Sequence, residues 1–134
     1  MAKLMMAGVF AIALSTVSAD AHHSIAGVYD SGREVTLDGV VTQFQFVNPH
    51  PFLVVDVREG DTVQQWRLEM DNRFELVAIG ITADTLKPGD RLVVAGRPAR
   101  QQPRALYINR LNRSSDGFGY EQVGSSPRIR RPSR

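Results

Sequence analysis

The sequence predicts a small all-β domain with one short helix, folded as a five-stranded OB-like Greek-key barrel. Three observations carry this. Five stretches of strand character follow one another between residues 34 and 111, one helical stretch falls between the third and fourth, and the first stretch is long with Gly39 inside it. Three strands, a helix and two strands, led by a coiled first strand, is the OB order. The strand count alone also allows another small barrel or an open sandwich.

Residues 34–46 form the first strand. Val35, Leu37 and Val41 share one parity, and Val40, Thr42, Phe44 and Phe46 the other. The change of face is expected at Gly39, where a bulge or sharp coil lets one strand serve two parts of a barrel. Asn48-Pro49-His50-Pro51 is a turn into the second strand, 52–57. Glu59-Gly60-Asp61 signals a hairpin turn. In the third strand, 64–70, Trp66, Leu68 and Met70 share the core face, while Gln65, Arg67 and Glu69 share the other. Asn72 can cap a helix starting near Arg73, and Gly80 stops it. Leu86-Lys87-Pro88-Gly89-Asp90 turns into the fourth strand, 91–95. A polar loop, 96–104, precedes the last strand, 105–111.

Residues 1–21 have the pattern of a secretory signal. Lys3 is the basic start, 4–14 the apolar centre and 15–21 the small-residue end. Eleven apolar residues are too few for a span, which needs about 20. Cleavage after Ala19 would leave Asp20 first, and cleavage after Ala21 would leave His22 first. Export to a bacterial periplasm follows as the expectation. That compartment permits disulfides, yet the chain has no cysteine. Any metal site must therefore use nitrogen and oxygen, with Met the only soft donor.

The processed chain, about 113 residues, suffices for one domain. Residues 22–34 read as an arm, 35–112 as the barrel and 113–134 as a basic tail. Ser, Gly, Pro and Arg dominate the tail, so disorder is expected there. It holds five arginines against Asp116 and Glu121, whereas 22–112 holds ten basic and eleven acidic residues. The folded part is near neutral, which argues against nucleic acid as a partner. The tail could touch an anionic membrane surface weakly, through charge alone.

Ala21-His22-His23-Ser24, Tyr29-Asp30, 35–41, Val47-Asn48-Pro49-His50, Trp66-Arg67-Leu68-Glu69-Met70 and 85–90 occur in that order. The set resembles the bacterial exported proteins grouped as domain of unknown function family 6152, over about residues 21–111. The resemblance implies export and a small β-barrel, with no activity attached. It also places the His-His pair directly after the cleavage site, favouring a cut after Ala21. This chain departs from the family at Gly80-Ile81, where a Gly-Trp is usual, and at Asp71-Asn72-Arg73-Phe74, where Gly-Ser-Pro-Asn is common.

The three histidines, His22, His23 and His50, suggest a metal site. With His22 first, its α-amine and Nδ1 can chelate one Cu(II), and His50 can supply a third nitrogen, with His23 the alternative. Cu(II) tops the divalent affinity order and accepts tetragonal nitrogen ligation. With Asp20 first, a histidine in third position wraps Cu(II) or Ni(II) using two amides and the amine. Glu69 is a supplementary ligand or a hydrogen-bond partner to one. Zinc would need Glu69 or Asp71 as well, since structural zinc takes four protein ligands. An exposed His-His pair can also pick up metal adventitiously, and His50 can simply donate to a neighbouring carbonyl.

No nucleophile-base pair, paired acids or phosphate loop occurs, so binding rather than catalysis is expected. Three functions remain open. One is copper handling in the periplasm. The second is a non-metal OB-type module for a protein, peptide or small ligand, using the neighbours of Trp66 and the loops around His50 and 96–104. The third is a copper enzyme built on the same nitrogens.

Overall fold

A computed structural model describes residues 21–130, with side chains from residue 25 onward. Residues 1–20 of the signal sequence, with the cleavage point after Ala19, lie outside the described residues, and the one after Ala21 falls at the start of the described chain. The elements run α1 (Ala21–Val28), β1 (Val35–Gln45), β2 (Phe52–Glu59), β3 (Thr62–Glu69), α2 (Arg73–Ala78), β4 (Arg91–Pro98), β5 (Ala105–Arg113), β6 (Phe118–Val123) and β7 (Ser126–Arg130). The strands hydrogen-bond in the order β3-β2-β1-β4-β5-β6-β7, and β3 pairs again with β5. The first five strands thus close into the expected barrel, with α2 between β3 and β4.

Every pairing is antiparallel except the closure. There Arg67, Leu68 and Glu69 meet Ala105, Leu106 and Tyr107 in parallel. Inside lies an apolar core that includes Val41, Leu53, Val55, Leu68, Leu92, Leu106 and Ile108, each at most 1 % exposed. Met70 and Leu76 are fully buried with them, so Met70 is core, as its parity with Leu68 implies.

β1 changes face, but not at Gly39. Leu37, Gly39 and Val41 all point inward, and Val40 faces solvent. The register with β2 slips between Val41 and Gln43, making Thr42 the extra residue of a bulge. Its hydroxyl donates to the Val54 carbonyl at 3.1 Å, and Phe44 beyond it packs on the core. Gly39 answers a different need: a Cβ there would stand 2.9 Å from the Asp56 carbonyl oxygen on β2. Apolar parity could not distinguish a face change from a close approach.

α2 forms as read. Asn72 accepts from the Glu75 backbone N–H at 2.9 Å, and its amide donates to the Glu75 carboxylate at 2.8 Å. Gly80, at φ 93°, ends it in the left-handed region. β4 runs on to Pro98, so its last residues come from the stretch read as loop.

The two ends of the domain differ from expectation. Residues 21–28 are helical, so the arm opens within α1, and the described part of the tail, to residue 130, is folded. β6 pairs Phe118 with Arg113, Gly119 with Asn112 and Tyr120 with Leu111, and β7 completes a hairpin upon it. Tyr120 is fully buried, and Phe118 and Ile129 pack against the same core. Average composition hid this, because few apolar residues suffice when all point one way. Arg113 pins the hairpin: its guanidinium contacts Asp90 at 2.5 Å, the Thr85 carbonyl at 2.8 Å and Asp116 at 2.9 and 3.0 Å.

Three stability outcomes follow. A Cβ at Gly96 would lie 2.1 Å from the Tyr107 carbonyl oxygen, so Gly96→Ala should lose about 3 kcal/mol. Gly27 meets nothing within 4 Å, and Gly27→Ala should be neutral or gain about 0.5–1 kcal/mol. Urea unfolding of the two variants checks the contrast. Tyr120→Ala should cost about 4 kcal/mol in the same assay, as a large core side chain does. A loss below about 1 kcal/mol would mean the hairpin is not part of the core.

Candidate functional site

His50 and Glu69 come together, and the fold explains why. His50 ends the turn two residues before β2, and Glu69 ends β3, paired with Phe52 at the start of β2. The two side chains are 15 % and 18 % exposed, with His50 Nδ1 3.9 Å from Glu69 Oε1. His50 Nδ1 also lies 3.0 Å from the Met70 carbonyl oxygen. A carbonyl only accepts, so Nδ1 carries a proton, and in the neutral ring the lone pair is then on Nε2. The Asn48–Pro49 peptide before it is cis.

Glu69 is held from three sides. The Tyr29 hydroxyl donates to its Oε2 at 2.5 Å, and Arg67 Nη1 reaches the same oxygen at 3.4 Å. Arg67 in turn lies over the Phe52 ring, 4.0 Å from its centroid, a position that favours a cation. Burial, and then the hydrogen bond to the Glu69 carboxylate, hold the Tyr29 hydroxyl well above the ordinary phenol range. Tyr29 therefore stays a donor at any physiological pH.

Tyr29 is also the anchor of the arm. It follows α1 directly, bridges to Ala99, and stacks its ring 5.6 Å from Tyr107. Asp30 N–H donates to the Pro98 carbonyl and Arg100 N–H to the Val28 carbonyl. α1 is thus fastened to the barrel at the Glu69 corner. His22 and His23 belong to α1, but their side chains lie outside the described residues.

Asp71 takes a different place. It is buried, accepting from the Asn72 backbone at 2.6 Å and from Gln122 Nε2 at 2.8 Å. Among the described residues no three His, Asp or Glu side chains gather as a metal-holding group. The Trp66 region does meet the 96–104 stretch: Val54, Gln65, Trp66 and Arg67 share a shallow groove with Gln102 to Ala105. Trp66 itself leans inward and donates to Glu59 at 3.1 Å. No helix among the described residues is long and apolar enough to cross a membrane.

Tyr29 and Gln122 are the site residues that the sequence did not single out for chemistry. An isolated aromatic in a Gly-, Asp- and Ser-containing arm was a signal for the first. Nothing marked the second.

Tyr29→Phe keeps the ring contact and removes the hydrogen bond. Because the acceptor is charged, a loss of about 1.5–3 kcal/mol is expected. Hydrogen exchange should rise at the amides of Tyr29, Asp30 and Arg100, and unchanged exchange there would show that the arm is held by other contacts.

Among known proteins, a family model described as "Family of unknown function (DUF6152)" matches residues 11–106. No curated protein and no solved structure matches the chain. The matched stretch contains α1, Tyr29, the His50 turn and Glu69; β6 and β7 lie beyond it. A match over most of the chain, on the fold just described, makes this protein a member of the DUF6152 family.

Proposed function

We propose that this protein is an exported, periplasmic barrel that binds copper through the processed amino terminus at His22 and the imidazole of His50. The observation that carries this reading is the hydrogen bond from His50 Nδ1 to the Met70 carbonyl. Metal-ligating histidines characteristically donate their other ring N–H to such an acceptor, which orients the ring and raises its basicity. His50 has that arrangement, with Nε2 as its ligating atom.

Two further features support it. Glu69 lies on the Nδ1 side, so it acts on the ligand's orientation rather than as a ligand beside Nε2. The Tyr29 anchor ties α1 to the same corner, seven residues after His22. Seven residues of helix span about 10 Å. Within this reading His22 supplies the α-amine and Nδ1, His50 supplies Nε2, and His23 is the alternative third donor. Cu(II) suits such a nitrogen set. The role is metal binding or transfer, without a reaction assigned to it.

The second reading is a non-metal module that uses the groove beside Trp66 and Arg67 for a protein, peptide or small ligand. Its support is that strand and loop residues do converge there.

The test is intact mass and Cu(II) paramagnetic resonance on protein purified from the periplasm of an export-competent host, without tag or chelator. A chain starting at His22 with one copper and nitrogen hyperfine structure is expected. His50→Ala should weaken copper by roughly 100-fold, and Glu69→Gln by roughly 10-fold, the usual range for a partner of the ligand. A chain that takes up no stoichiometric Cu(II), or one indifferent to His50→Ala, would sink the copper reading and leave the groove.

A further inference from the structure

A second polar site lies on the outside of the barrel and uses none of the histidines. The β4–β5 register sets Arg97 opposite Tyr107, so the two side chains stand together on one face. α1 covers one flank through Ile25, and β6 covers the other through Gln122. Between them is a cavity of about 170 Å³, lined also by Asp71.

Asp71 accepts two hydrogen bonds from Asn72 on Oδ1 and one from Gln122 on Oδ2, which leaves acceptor capacity on Oδ2. Gln122 Nε2 lies 2.8 Å from Asp71 Oδ2, 2.9 Å from the Tyr120 hydroxyl and 3.3 Å from the Tyr107 hydroxyl. One amide nitrogen has two hydrogens for these three oxygens. Gln122 Oε1 accepts from no side chain among the described residues. Asp71 is only 6 % exposed, where a carboxylate gains most from added donors. Arg97, also on the lining, is half-buried and makes no ion pair among the described residues, although it is close enough to Tyr107 to act on its hydroxyl electrostatically.

A lone anion would face Asp71, with Glu69 close behind on the strand paired to Tyr107. A lone cation would face Arg97. A ligand carrying charges of both signs satisfies both ends at once. Size narrows it further: a cavity of about 150 Å³ accepts a six-carbon ring, so this one suits about six to eight heavy atoms.

We propose that this cavity binds a small zwitterion of α-amino-acid size, its ammonium group on Asp71 and Gln122 Oε1 and its carboxylate on Arg97. Ile25 then offers the apolar wall for a short side chain. The site is independent of copper and of His50.

The test is calorimetric titration, backed by ligand-observed NMR, of the purified protein with glycine, L-alanine, L-serine and L-valine. Acetate and ethylammonium serve as single-charge probes. At least one amino acid should bind at least about tenfold more tightly than either probe, and Arg97→Gln should weaken it by about tenfold or more with the unfolding midpoint unchanged. Asp71→Asn should do the same. Should that buried variant fail to fold, Arg97→Gln on the half-buried side still decides. No binding of any of the four at about 10 mM, equal binding of the single-charge probes, or wild-type affinity in Arg97→Gln overturns the proposal.

Discussion

The barrel closes on three residue pairs. Arg67, Leu68 and Glu69 meet Ala105, Leu106 and Tyr107, and everything else is arranged around that short parallel seam. It is short because β5 is shared. Its first residues serve β3 and its last four serve β6, while β4 runs along its other edge. The loop before the seam is held where it must be: Arg67 N–H donates to the Arg104 carbonyl, and Arg104 takes the left-handed φ of 53°. Few side chains but glycine adopt that region without cost, and the hydrogen bond to Arg67 holds Arg104 there. The seam also fixes what lies outside it. Glu69 and Tyr107 become neighbours, Tyr29 can reach both, and the arm acquires its anchorage.

Two polar corners result, one on each side of the Glu69–Tyr107 line. Toward the turn, Glu69 faces His50. Toward β6, Tyr107 faces Gln122, Asp71 and Arg97. Adjacent residues Glu69, Met70 and Asp71 serve three destinations: Glu69 to the first corner, Asp71 to the second, and Met70 to the core with its carbonyl lent to His50. A one-residue slip of β3 would exchange all of these at once, because neighbouring strand positions face opposite ways. Register is therefore as important to the chemistry here as residue identity.

What the sequence disclosed was local. Alternation revealed the strand faces at Trp66, Leu68 and Met70, and the Asn72 cap and Gly80 bounded α2, because those signals lie within a few residues of what they control. The pairing of His50 with Glu69 was half legible: the residues could be nominated, but only the β2–β3 register brings them within 3.9 Å. The bulge at Thr42 was misplaced to Gly39 because a glycine can answer to steric closeness as well as to bending. The hairpin was missed for a related reason. Tyr120 sits in a stretch whose average looks disordered, and its burial depends on partners such as Leu111 that average composition does not weigh. Arg113 shows the same limit, since its carbonyl and carboxylate partners come from 23 and 28 residues upstream as well as from the following turn.

β7, the last described strand, pairs only with β6. A strand so placed offers a row of free peptide groups to any other chain that drifts alongside, the first step toward aggregation. Its sequence works against that outcome. Pro127 has no N–H to contribute, and Arg128 and Arg130 reach back across the sheet to Glu121 on β6 and Asn112 on β5. The described sheet thus ends on a strand with a gap in its row of N–H donors and two bulky cationic side chains, features that make a poor template for another strand.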